Sequence, residues 1–118
     1  MVIDDEPFVG RLIRSALKSE HDVFVVHSAS EAVSRFESGE TFDLVLCDLA
    51  MPDLSGPEFY ATIARCWPRL WTRLVSMTGG DLTPQAVELM ERVPMRALSK
   101  PFKIDRLKEF VRERLTGA

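Results

Sequence analysis

Phe42-Asp43-Leu44-Val45-Leu46-Cys47-Asp48-Leu49-Ala50-Met51-Pro52-Asp53-Leu54-Ser55-Gly56 opens as a short apolar run, stops on an acid and breaks into turn-forming residues. A run of that length without polar alternation reads as a strand buried on both faces, which is the habit of parallel sheets. The same grammar recurs along the chain. Val2-Ile3 ends on Asp4-Asp5, Leu74-Val75-Ser76-Met77 ends on Thr78, and Ala97-Leu98-Ser99 ends on Lys100. If these runs are parallel strands, all five side chains emerge at one edge of one sheet, where open α/β folds build their sites.

Between the runs the apolar period changes to that of a helix, and the alternation predicts βαβ units. Strand one is expected over Val2 to Asp4 and helix one over about Pro7 to Ser19, with Pro7 in its first turn and Val9, Leu12, Ile13, Ala16 and Leu17 as its apolar face. Val23 to Val26 reads as strand two. Ser30 to Glu37 reads as helix two, capped by Ser28 or Ser30 and stopped by Gly39. Strand three covers Phe42 to Cys47, and helix three runs from about Pro57 to Cys66 and is closed by Pro68. Strand four is Leu74 to Met77, followed by the breaker Gly79-Gly80 and a fourth helix over Pro84 to Arg92. Met95 to Leu98 forms strand five, and a terminal helix spans about Ile104 to Leu115 with Leu107, Phe110 and Val111 inward.

The 118 residues suit one domain with one core, and no repeat, low-complexity tract or linker divides them. A composition of 46% hydrophobic and 28% charged residues favours neither disorder nor a fibrous class. The longest apolar runs are too short for a membrane span, and Asp4, Asp5 and Glu6 stand where a signal peptide would need apolar residues. A net charge of −3 with scattered bases argues against nucleic-acid binding. Cys47 and Cys66 lack metal-type spacing and secretory context, so both read as free thiols in a cytoplasmic protein. The start directly on strand one is compatible with a domain cut from a longer protein.

Three carboxylates with a lysine and a hydroxyl make chemical sense as a site for a divalent cation and a phosphoryl group. An aspartate can attack phosphorus and form an acyl phosphate, and Asp48 is the candidate nucleophile. Asp4, Asp5 and Asp48 offer oxygen ligands of the kind Mg²⁺ prefers, and without a cation they would repel one another. Lys100 would offset phosphoryl charge, and Thr78 offers a rotatable hydroxyl. Gly79-Gly80 allows backbone N–H groups to approach an anion, though paired glycines also mark plain turns. An Asp-Asp pair after a strand is, taken alone, an ordinary solvated turn or cap. The joint pattern at four strand ends is what favours a site.

In this order and at these intervals the constellation resembles the receiver domain of bacterial two-component response regulators. The resemblance runs over essentially all 118 residues. It is carried by Val2-Ile3-Asp4-Asp5-Glu6-Pro7, by Leu46 to Gly56, by Met77-Thr78-Gly79 and by Leu98-Ser99-Lys100-Pro101-Phe102. It implies a flavodoxin-like (βα)5 three-layer sandwich with a five-stranded parallel sheet of order 2-1-3-4-5. It also implies Mg²⁺-dependent phosphorylation of Asp48 by the phosphohistidine of a histidine kinase or histidine phosphotransfer protein. By motif, Asp5 and Asp48 would bind Mg²⁺ directly, Asp4 mainly through water, and the backbone carbonyl of Ala50 would complete the protein ligands. Thr78 would be the switch hydroxyl and Lys100 the phosphate partner, with a cis Lys100-Pro101 bond aiming the lysine. Such a domain catalyses its own phosphorylation and dephosphorylation, with no independent enzyme activity expected of this chain.

Two positions depart from the family's pattern. Ala97 stands where receivers of the best-known type carry an aromatic that turns inward on activation. Ala50 stands where a longer side chain often tunes acyl-phosphate hydrolysis; with Gly80, it suggests an open site whose phosphate lifetime follows water access. Phe8 falls off the buried face of helix one, with Arg11 and near the acidic pair, and is expected to be partly exposed and to help dock the phosphodonor. Trp67 and Trp71 read as packing residues, and His21 and His27 as isolated, without matched ligands. An aspartyl-nucleophile phosphatase would need a second acid two residues after the nucleophile, and that residue is Ala50. A flavodoxin-type cofactor binder and a P-loop nucleotidase lack their phosphate loops. The surroundings of Thr78, the missing aromatic and Val93-Pro94 look more like a receiver at the carboxyl end of a hybrid sensor kinase than one of a DNA-binding regulator. A single-domain regulator is the other setting, in either case without nucleic-acid or membrane contact by this domain. Oligomeric state is not legible.

Overall fold

In the computed structural model, residues 1–48, 51, 57–78, 84, 96–99 and 102–116 are described. Strands β1 (Val2–Ile3), β2 (Val25–Val26), β3 (Val45–Asp48), β4 (Leu74–Thr78) and β5 (Arg96–Ser99) form one sheet in the order β2-β1-β3-β4-β5. Every pairing in it is parallel. This is the order and direction expected of the flavodoxin-like sheet. The described helices are α1 (Pro7–Leu17), α2 (Ala29–Glu37), α3 (Pro57–Cys66), the short α4 (Pro68–Trp71) and α5 (Ile104–Leu115). The fourth expected helix lies outside the described residues except for Pro84.

Side-chain alternation along the strands builds a core on each face of the sheet. Val2, Leu46, Val75 and Met77 pack with Ile13 and Leu17 of α1 and Leu107 and Val111 of α5. Ile3, Val26, Val45, Cys47 and Leu74 pack on the other face with Phe36 of α2, Phe59, Tyr60 and Ile63 of α3 and Leu70 of α4. The three layers follow directly from that alternation.

Local chemistry sets the helix ends. Pro7 occupies the first turn of α1, and the N–H of Glu6 just before it donates to Asp4 Oδ1 at 2.9 Å. At α2 the Ser28 hydroxyl accepts from the N–H of Glu31 at 3.1 Å, while the Glu31 carboxylate accepts from the N–H of His27 at 3.3 Å. The two contacts form a variant of the capping box. Gly39 follows α2 with φ +91°, the left-handed conformation that suits a glycine stop. Arg112 of α5 holds the Glu20 carboxylate from both Nε and a terminal nitrogen, tying α5 to the turn that follows α1 and keeping that carboxyl below its ordinary range.

Several boundaries and one helix face differ from the sequence reading. Strand two begins at Val25 rather than Val23, where pairing with β1 starts, and strand three at Val45 rather than Phe42, where pairing with β4 starts. Helix one ends at Leu17, and α2 begins one residue earlier than read, with Ser28 as its cap. Pro68 does not merely close α3; it opens α4 as that helix's first residue. Leu12 belongs to the solvent side of α1 with 38% exposure, since the buried stripe is Gly10, Ile13 and Leu17. Trp67 packs on Phe36 and Trp71 on Tyr60, with ring centroids 5.5 and 6.2 Å apart. Both cysteines are free, Cys47 buried and Cys66 exposed.

Candidate functional site

The register of the sheet assembles the acids. Ile3 pairs with Cys47 across β1 and β3, so the next residues, Asp4 and Asp48, lie side by side at the carboxyl edge of the sheet. Asp5 follows Asp4, and one carboxylate oxygen from each of Asp4, Asp5 and Asp48 falls within 4.8 Å of the others. Asp4 is fully buried, Asp48 is 6% exposed and Asp5 is exposed, so the cluster is a buried pair with one member open to solvent.

Two negative charges at that separation repel by about 3 kcal/mol at an effective dielectric near 20, a cost that a cation or a proton must offset. The donor set is all carboxylate oxygen, which fits a hard divalent ion such as Mg²⁺ and not a soft metal. Several contacts hold Asp4 in place, among them its N–H donating to the Val26 carbonyl at 3.1 Å. Its Oδ1 accepts the Glu6 N–H, and its main-chain oxygen lies 3.1 Å from Nδ1 of His27.

Of the remaining predicted residues, the described strands place Thr78. Asp48 pairs with Met77, and Thr78 is the next and last residue of β4, beside Ser99 of β5. Lys100 directly follows that strand. Lys100, Ala50, Gly79, Gly80 and the Lys100-Pro101 bond lie outside the described residues. Phe8 is 67% exposed at the start of α1, as its place in the helical period predicts, and Arg11 is exposed with it.

Two residues beside the site were not legible as such. His27, read as isolated, follows β2 as Asp4 follows β1, and its ring reaches the Asp4 carbonyl. The signal was available, because His27 ends an apolar run as the acids do. Tyr60 lies beneath Asp48, its hydroxyl donating to Sγ of Cys47 at 3.8 Å. Burial is the main cause that pushes its phenol well above the ordinary range, and the charge of Asp48 adds to it.

Similar sequences and folds are known. The sequence model of the response regulator receiver domain matches residues 1–112. The transcriptional regulatory protein TcrA of Mycobacterium tuberculosis is 30% identical over 108 residues, which are 91% of this chain and 42% of TcrA. The transcriptional regulatory protein GlrR of Escherichia coli is 28% identical over 116 residues, 98% of this chain and 26% of GlrR. The chain therefore spans less than half the length of these relatives. Among solved structures, NtrX of Brucella abortus matches with a TM-score of 0.79 at 26% identity, covering 98% of this chain and 26% of NtrX. A response regulator receiver domain protein from Methanospirillum hungatei shares the fold, with a TM-score of 0.82 at 21% identity over 98% of this chain and 91% of that one.

Proposed function

The chain belongs to the response regulator receiver domain family, and we propose that it is a phosphoacceptor module whose Asp48 takes a phosphoryl group from a phosphohistidine. The observation that carries this reading is the meeting of Asp4, Asp5 and Asp48 within 4.8 Å at the carboxyl edge of the sheet. An Oδ atom of Asp48 attacks phosphorus, the histidine N–P bond breaks as the O–P bond forms, and the freed imidazole takes up a proton from water. Asp4, Asp5 and Asp48 would hold Mg²⁺, with the Ala50 carbonyl as a further ligand. The bound ion supplies positive charge against the phosphoryl oxygens and the crowded acids. Glu6 and His27 fix Asp4, so that the cluster is oriented before the donor arrives.

Thr78 and Lys100 serve the product, the hydroxyl as a hydrogen-bond donor to a phosphoryl oxygen and the ammonium as its counter-charge. The chain thereby accelerates its own phosphorylation and dephosphorylation and has no separate substrate. Position 50 is alanine, so the general acid that a phosphatase of phosphate esters carries two residues after its aspartyl nucleophile is missing from the sequence. The donor is a histidine kinase or histidine phosphotransfer protein, and exposed Phe8, beside the acids on α1, is a natural docking contact for it.

We read the whole chain as one receiver domain acting in the cytoplasm. Among its described residues no helix is long and apolar enough to cross a membrane. The surroundings of Thr78 and the alanine at 97 favour a place in a hybrid sensor kinase or a single-domain regulator. A second setting, a receiver feeding a DNA-binding output, is favoured by the names of TcrA and GlrR as transcriptional regulatory proteins. The test of the function common to both is incubation with acetyl phosphate and Mg²⁺. Label should enter the chain, chelator should block it, and Asp48→Ala should abolish it; label that persists in Asp48→Ala overturns the assignment.

A further inference from the structure

Tyr60 carries a polar group into a place that has little need of one. The residue enters the core from α3 with 1% of its surface exposed, and a buried phenol requires a partner for its O–H. It has two. Oη donates to Sγ of Cys47 and is hydrogen-bonded to the side chain of Ser76. The Cys47 thiol in turn donates to the main-chain oxygen of Asp48 at 3.7 Å.

These partners form a row across the sheet. Cys47 pairs with Ser76 across β3 and β4, and Ser76 pairs with Ala97 across β4 and β5. The row directly toward the carboxyl edge is Asp48, Met77 and Leu98, and the row behind it is Leu46, Val75 and Arg96. Cys47 and Ser76 are small side chains paired across β3 and β4. A ring reaching in from α3 is what covers Cys47 and Ser76. Val75 and Met77 face the other core, so Ser76 faces α3, as the alternation of the strand demands.

We propose that Tyr60 couples α3 to Asp48: its hydroxyl, held by Cys47 and Ser76, ties α3 to the strand residues directly beneath the phosphoacceptor and makes α3 respond when that carboxylate is acylated. The inference rests on the reading of Asp48 as phosphoacceptor. A fully satisfied buried polar network is stiff and has few alternative arrangements, so a change at the Asp48 main chain passes to the phenol instead of dissipating. Trp71 of α4 packs edge-on against Tyr60, which gives the movement an optical reporter.

The experiment uses the full chain with Trp67→Phe as background, so that Trp71 is its remaining tryptophan. Three versions of that chain, one retaining Tyr60 and the others carrying Tyr60→Phe or Ser76→Ala, are each treated with acetyl phosphate and Mg²⁺. Intact mass reports phosphorylation and Trp71 fluorescence reports the environment of the ring. Tyr60→Phe keeps the ring and removes only the hydroxyl; Ser76→Ala answers the same question from the other partner if the first variant fails to fold. The expected result is phosphorylation of all three, with a fluorescence shift in the Tyr60 protein that is lost in both variants. Equal shifts in the phosphorylated Tyr60 protein and its Tyr60→Phe variant overturn the coupling, as does phosphorylation of the Tyr60 protein with no shift. Failure of the Tyr60 protein to take the phosphoryl group overturns the reading of Asp48 and the coupling with it.

Discussion

Nδ1 of His27 lies 3.1 Å from the main-chain oxygen of Asp4. A carbonyl oxygen only accepts, so the proton of this contact sits on Nδ1 and the imidazole is the donor. The residue after β2 thus braces the residue after β1, on the side of Asp4 away from Asp48 in the strand order. Asp4 is held from its main chain by His27 and from its carboxylate by the Glu6 N–H.

Removal of that donor should loosen the cation site without dismantling it. A hydrogen bond at this partly open position contributes about 0.5 to 1.5 kcal/mol net, so His27→Phe should weaken Mg²⁺ binding by roughly two- to tenfold. Titration of Mg²⁺ against intrinsic fluorescence measures it. Unchanged affinity would show that the contact has no part in holding Asp4.

Crowding of carboxylates predicts a stability effect of opposite sign to the loss of function. In chelator, Asp48→Asn removes one charge of the buried pair and should stabilise the fold by on the order of 1 kcal/mol, read as a higher melting temperature. The unaltered chain should gain stability from added Mg²⁺, and the same variant should not. Asp4→Asn should not share the gain in full, because Asp4 Oδ1 also accepts the Glu6 N–H at the start of α1. A lower melting temperature for Asp48→Asn in chelator would contradict the repulsion.

Tyr60 is the single tyrosine, so the tyrosinate absorbance of the chain reports it alone. Burial raises its folded pKa above the unfolded value of about 10. A raised folded value contributes stability that is fully present below the unfolded pKa and is lost as pH rises through the alkaline range. Tyrosinate should therefore appear together with alkaline unfolding, followed by circular dichroism on the same sample. Ionisation near pH 10 in a folded chain would show an accessible phenol.

Gly10 packs α1 against β2 so closely that an added Cβ would lie 2.6 Å from Cγ1 of Val25. Ala is favoured over Gly in a helix by about 1 kcal/mol, whereas overpacking against a stiff β-branched neighbour costs about 1 to 3 kcal/mol. The steric cost wins, and Gly10→Ala should lower unfolding stability in urea by up to about 2 kcal/mol. Adding Val25→Ala should recover part of that loss, a non-additivity expected of residues in contact. Strict additivity would contradict the contact.

Much of this architecture was legible because the chain states it twice, in apolar period and in punctuation. α5 was readable to both ends from Leu107 and Val111, and the strand-end acids marked the edge where Asp4, Asp5 and Asp48 meet. Features that depend on what lies across a gap were not legible. Gly10 is demanded by Val25, a residue of another element, and Leu12 fits the helical period but looks past the sheet. Pro68 carries the same residue type whether it ends a helix or begins one, and only the turn that follows decides. His27 and Tyr60 escaped for a related reason: each is an ordinary residue until register sets Asp4 or Cys47 beside it.

The central claim concerns one atom group, the carboxylate of Asp48, and reductive trapping tests it most directly. After exposure to acetyl phosphate and Mg²⁺, borohydride reduces an aspartyl phosphate to homoserine, which peptide sequencing by mass spectrometry locates. Homoserine at position 48, absent when chelator is present, is the result expected. Homoserine at Asp4 or Asp5 instead, or none in a chain that binds Mg²⁺, would contradict the assignment.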